Sequence, residues 1–216
     1  MRKYDTVFFD LDGTIIDSGE GVSNSVLYAL DKFGINETKE NALRFIGPPL
    51  AESFKEFYGF NEEKATRGIE IYREYYREKG IFECYLYDGI RELLVKLRQN
   101  GFKVVLCTSK PEEYAHRVLH FFKIFDLFDH ACGATMDEKT RATKDEVMQY
   151  AFDTSGASRE KTLMVGDRKF DINSACRFGI DSVGVTFGYG SENELKNAGA
   201  TYIVKSAKEI EKLLEI

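Results

Sequence analysis

Two acids one residue apart, Asp10 and Asp12, follow directly on the apolar run Val7-Phe8-Phe9 and precede Gly13-Thr14. The run reads as a buried parallel strand, and open α/β sheets bind ligands beyond the carboxyl ends of their strands. Carboxylates this close resist joint ionisation in a dry cleft unless a cation offsets one of them or one keeps a proton. Both solutions suit phosphoryl transfer. A Mg²⁺ ion could take Asp10 as a hard oxygen ligand, and Asp12, with its pKa raised, could give a proton to a leaving alcohol. The plain alternative is an Asp-Gly pair that only bends the chain.

Three more groups of this kind fall at the ends of apolar runs. Val104-Val105-Leu106-Cys107 leads into Thr108-Ser109-Lys110-Pro111, where a hydroxyl and backbone amides before a helix can bind a phosphate oxygen. Read locally, Ser109 and Glu112 have capping-box spacing, so ordinary helix capping explains them as well. Lys144 opens a second helix, where a cation opposes the macrodipole and local helix physics gives it little reason to be. Lys139 is its rival, and the position before the apolar helix face favours Lys144. Leu163-Met164-Val165-Gly166 delivers Asp167, with Asp171 four residues on. Gly166 permits close backbone approach, and an acid such as Asp171 in the first turn of a helix is also favoured by the dipole alone.

Asp-Leu-Asp-Gly-Thr after a hydrophobic strand, followed in order by Thr108, Lys144 and Gly166-Asp167, resembles the four signatures of the haloacid dehalogenase superfamily. The second acid points to its phosphatase branch. The resemblance implies that Asp10 attacks phosphorus to form an aspartyl phosphate, while Asp12 serves as general acid and then general base. It further implies that Thr108, Ser109, Lys144 and Leu11 hold the phosphoryl group. Mg²⁺ is implied on the Asp10 carboxylate, the Asp12 carbonyl and Asp167, with Thr14 and Asp171 supporting these groups from behind. Phe45-Ile46-Gly47-Pro48-Pro49-Leu50 resembles the lid of a phosphoglycolate phosphatase-like branch that includes 5'-nucleotidases. Arg44 beside it could meet a substrate carboxylate or phosphate, or be a surface arginine. The implied substrate is a small phosphorylated metabolite, phosphoglycolate or a nucleoside 5'-monophosphate. A β-phosphoglucomutase-like phosphomutase and a non-catalytic phosphate-binding regulator are the rival functions. Asp88-Gly89 stands where the family often has Pro-Gly.

The elements that must position these residues follow from periodicity. Between Gly19 and Glu83 no strand pattern is convincing, and amphipathic helices are expected over 21–33, 39–45, 50–58 and 62–79, the last capped by Asn61. From Asp88 onward helices and strands alternate: strands at 103–107, 162–165, 181–185 and 202–204, helices at 90–99, from 111, at 143–152 and at 171–178. Ser191 with Glu194 and Ser206 with Glu209 have capping-box spacing. Such alternation argues for a doubly wound parallel α/β sheet, interrupted after its first strand by an all-helical cap. The expected core is 1–17 with 86–216, and the expected cap 18–85.

The 216 residues, 43% of them hydrophobic, allow a sizeable core. A net charge of −6 disfavours non-specific binding to nucleic-acid polymers. No apolar run approaches a membrane span and the N-terminus shows no signal-peptide pattern, so a cytoplasmic location is expected. Cys84, Cys107, Cys132 and Cys176 are scattered, which suits reduced thiols rather than disulfides or zinc. His116 and His120 have metal-ligand spacing but no acid between them, so a structural role is the expectation. The aromatic run from Ile71 to Arg77 reads as lid packing, and Gly188-Tyr189-Gly190 as a loop beside the site.

Overall fold

A computed structural model describes residues 2–137 and 139–216. The chain divides into two compact units, Met1–Ile16 with Leu86–Ile216, and Asp17–Tyr85.

The first unit is built on Thr6–Phe9 (β1), whose four side chains are all buried. Elements follow in the order Ile16–Asp17 (β2), Gly19–Lys32 (α1), Lys39–Ala42 (α2), Leu50–Tyr58 (α3), Glu62–Glu78 (α4), Tyr85–Leu86 (β3) and Ile90–Gln99 (α5). Then come Lys103–Pro111 (β4), Glu112–Phe121 (α6), His130–Ala134 (β5), Lys144–Ser155 (α7), Thr162–Gly166 (β6) and Lys169–Phe178 (α8). Asp181–Val185 (β7), Glu192–Asn197 (α9), Tyr202–Val204 (β8) and Ala207–Leu214 (α10) complete the chain. Six parallel strands lie in the order β5-β4-β1-β6-β7-β8. Strand order reverses at β1, and a crevice at such a switch point is where doubly wound sheets bind ligands. The register is level there: Phe9 lies opposite both Leu106 and Val165, so Asp10, Cys107 and Gly166 emerge at one end.

Burial holds the strands in this register. Phe8, Val105, Cys107 and Met164 pack with Val147, Met148 and Ala151 of α7 and Ala175 of α8. Slipping β1 by one residue would turn Phe8 out of this cluster, and each large side chain so exposed costs about 1.5–3 kcal/mol. α7 therefore lies on β4 and β5, which brings its first turn to the same strand ends. Its start is defined by a reciprocal capping box between Thr143 and Glu146, leaving Lys144 as the first helical residue.

One local expectation is corrected and one strand comes in addition. Ser109 does not cap α6; β4 continues through it to Pro111, and α6 begins at Glu112 without a side-chain cap. Pro111 is the cause, because a residue before proline is pushed to extended backbone, and Lys110 prolongs the strand. Glu112 instead accepts the Gly133 amide at 3.1 Å. The edge strand β5 has no alternating pattern in its sequence His-Ala-Cys-Gly-Ala and forms by pairing with β4.

In the second unit α1 packs on α4, and α3 on α4. Asn61 caps α4 by accepting the Lys64 amide at 2.9 Å. Phe54 is fully buried, stacked on Phe60 at 5.5 Å and edge-on to Phe45 at 5.0 Å. α1 enters against bare backbone: a Cβ on Gly21 would stand 1.8 Å from the Gly80 carbonyl oxygen. β2 and β3 pair as a short ribbon at the two chain crossings. Among the described residues no helix is long and apolar enough to cross a membrane.

Candidate active site

Asp10 leaves β1 with its amide donating to the Val165 carbonyl at 2.9 Å, which continues the β1–β6 ladder by one residue. Its Oδ1 accepts from Lys144 Nζ at 2.8 Å. The same ammonium donates to the Cys107 carbonyl at 2.7 Å and lies 2.6 Å from Asp171 Oδ1. Its side chain is only 5% exposed, so its three contacts replace the water it has lost. Burial works to lower the Lys144 pKa, but Asp10 and Asp171 outweigh it and hold the ammonium charged.

Asp167 follows β6 and is wholly buried. One oxygen accepts the Tyr189 amide at 2.8 Å and the other lies 3.4 Å from Thr14 Oγ1. The backbone closes around it tightly. A Cβ on Gly13 would sit 2.2 Å from Asp167 Oδ2, and one on Gly188 2.5 Å from Asp167 Cβ. Gly13 also has φ +80°, a conformation open chiefly to glycine. Asp171, in the first turn of α8, accepts the Arg168 amide at 3.1 Å with its other oxygen. Gly166 makes room for it, since a Cβ there would stand 2.3 Å from the Asp171 carboxyl carbon.

Carboxylate oxygens of Asp10, Asp167 and Asp171 all lie within 4.8 Å of one another. Burial pushes the Asp10 carboxyl up to about 6, Lys144 pulls against it, and Asp171 and Asp12 add repulsion. Asp167 is driven well above the ordinary carboxylate range by burial first, then by Asp171 and Asp10. With all three acids ionised, one ammonium leaves two negative charges uncompensated, and the raised Asp10 and Asp167 carboxyls register burial and that repulsion. That deficit, with hard oxygen donors only, fits a divalent cation of the Mg²⁺ type.

Asp12 is separately held. Both of its oxygens lie 2.8 Å from Lys110 Nζ. Thr108 is buried within β4, its hydroxyl accepting the Lys110 amide at 3.2 Å, and Ser109 beside it is half-buried. Leu11 is fully buried, and its carbonyl accepts the amides of Thr14, Ile15 and Ile16, a tight turn that brings Asp12 back over the strand end. Lys139 is exposed. Arg44 belongs to the other unit, exposed, with Nε donating to the Asn41 carbonyl at 3.1 Å and its guanidinium 4.5 Å over Phe57.

Sequence reasoning passed over Lys110 and the Tyr189 amide. Lys110 was findable, because it stands two residues after Thr108 in the segment that follows an apolar strand. The Tyr189 amide carries no side-chain signal.

The description "haloacid dehalogenase-like hydrolase" matches residues 7–185. The chain belongs to this family of enzymes. The Pseudomonas aeruginosa protein named 5'-nucleotidase is 37% identical over 99% of this chain and 96% of its own length. The Mycobacterium tuberculosis protein named tyrosine-protein kinase PtkA is 36% identical over 93% of this chain and 68% of its own length. Among solved structures, a "predicted phosphatase" from Clostridium acetobutylicum superposes with a TM-score of 0.94 at 45% identity, covering 99% of both chains. The hydrolase fold and a cluster of strand-end aspartates are thus present together here.

Proposed function

We propose that this haloacid dehalogenase-like hydrolase is a Mg²⁺-dependent phosphomonoesterase acting in the cytoplasm on a small phosphorylated metabolite, phosphoglycolate or a nucleoside 5'-monophosphate. The observation that carries the reading is the pair of aspartates at the switch point, each with its own lysine: Asp10 on Lys144, Asp12 on Lys110. Two acids at one strand end, held in different surroundings, suit two different roles.

An Asp10 carboxylate oxygen attacks phosphorus in line. As the bond from phosphorus to the leaving oxygen breaks, its electron pair goes to that oxygen, which takes a proton from Asp12. Water then attacks the aspartyl phosphate and gives its proton to Asp12. The bond from phosphorus to Asp10 breaks, restoring the carboxylate and releasing phosphate. Lys144 and Thr108 bind phosphoryl oxygens, with the Leu11 and Ser109 amides beside them, and Asp171 keeps Lys144 aimed. Asp10, Asp167 and the Asp12 carbonyl would hold a Mg²⁺ ion, whose positive charge would stabilise the transferring group.

The test is inorganic phosphate release from phosphoglycolate, nucleoside 5'-monophosphates, sugar phosphates and pyrophosphate, with Mg²⁺ or chelator, beside Asp10→Asn. Release that needs Mg²⁺ and disappears in a folded Asp10→Asn protein is expected. Full activity in that variant overturns the mechanism. An isomerised sugar phosphate in place of free phosphate replaces the hydrolase with a phosphomutase.

A further inference from the structure

The geometry points to Lys110 as the residue that positions Asp12 for proton transfer to the leaving group, an inference that rests on the phosphatase reading above. An aspartate carboxyl turns about a broad, roughly two-fold torsion, so its direction is not set by its own rotamer preference. A general acid must nevertheless present one oxygen to one leaving atom. Here the Lys110 ammonium stands 2.8 Å from both Asp12 oxygens and so holds the carboxyl group at one place over the strand end. The lysine is itself immobilised: its side chain is 6% exposed, against 18% for Asp12.

Its backbone is set as well. Pro111 confines Lys110 to extended conformation, and the Lys110 amide donates to Thr108 Oγ1 at 3.2 Å. The segment that carries the phosphate-binding hydroxyl therefore also carries the residue that aims the acid. Asp10 is oriented independently, by Lys144 from α7. Losing Lys110 should leave attack by Asp10 intact and impair only the proton transfer that accompanies departure of the leaving oxygen.

This distinguishes positioning from a merely structural ion pair. kcat/KM reports events up to cleavage of the ester bond and is blind to later hydrolysis of the aspartyl phosphate. An alkoxide leaving group needs the proton, whereas 2,4-dinitrophenolate departs without it. Lys110→Met should lower kcat/KM about 100-fold for alkyl phosphates and no more than about threefold for 2,4-dinitrophenyl phosphate. The slope of log kcat/KM against leaving-group pKa thereby steepens. In an Asp12→Asn background the same substitution should add nothing. Lys110→Gln, close to lysine in length and polar, is read in the same series should the methionine variant not fold. Equal losses across the series, or a further loss in the Asp12→Asn background, overturn the inference. Wild-type protein inert toward every ester overturns the phosphatase reading and this one with it. An active wild type with parallel losses overturns this one alone.

Discussion

Lys144→Met tests whether charge, rather than packing, governs the centre of the site. The ammonium is 5% exposed and lies 2.6 Å from Asp171, 2.8 Å from Asp10 and 2.7 Å from the Cys107 carbonyl. Methionine fills most of the volume and supplies no charge, leaving three neighbouring carboxylates with no cation among them. Removing one partner of a buried pair costs about 3–5 kcal/mol. For a chain of this size that corresponds to a fall in Tm of roughly 6–20 °C. The assay is urea and thermal unfolding followed by circular dichroism at neutral pH in chelator. The second substitution is Asp171→Asn, which removes one of the stranded charges. If repulsion is the cause, Lys144→Met/Asp171→Asn is more stable than the sum of the single losses predicts, by about 1–3 kcal/mol. A loss under about 1 kcal/mol in Lys144→Met, or strict additivity in the double variant, refutes the electrostatic reasoning.

Gly13→Ala should cost about 2–4 kcal/mol, because it combines φ +80° with a Cβ placed 2.2 Å from Asp167 Oδ2. Gly156→Ala, at φ +62° with nothing within 4 Å, should cost only about 1–2 kcal/mol, and equal urea midpoints for the two would show that the approach to Asp167 does not matter. In the second unit, Asn41 Nδ2, the Thr38 amide and the Tyr58 hydroxyl hold the Glu37 carboxyl down at about 2, against an ordinary value of 4.5. A depressed carboxyl contributes stability that is complete above its unfolded value and is lost as pH falls from about 4.5 towards 2. Glu37→Gln should flatten the acid limb of the urea midpoint in that window, and an unchanged limb would count against these bonds.

What local sequence encodes here is whatever depends on near neighbours. The period-two and buried runs at β1, β4, β6 and β7, the caps of α4, α9 and α10, and the acids at the strand ends are all short-range patterns. The parallel sheet and its helical interruption follow from their order. The edge strand β5 was not legible, since its few small residues pair only because β4 offers an edge. Ser109 with Glu112 carried a cap pattern that Pro111, two residues after the serine, overrode.

The chemistry of the site divides the same way. Asp10, Asp12, Thr108, Lys144 and Asp167 announce themselves by residue type at strand and helix ends. How they are charged does not. That Lys144 faces two acids, that Lys110 lies against the Asp12 carboxylate, and that Gly13 and Gly188 crowd Asp167 follow from segments up to 175 residues apart meeting at one crevice. Burial there removes water from each carboxylate, and its pKa then depends on distances of a few ångströms to groups remote in sequence. The amino-acid order alone determined which groups stand at the strand ends; only tertiary structure decided which of them share a charge.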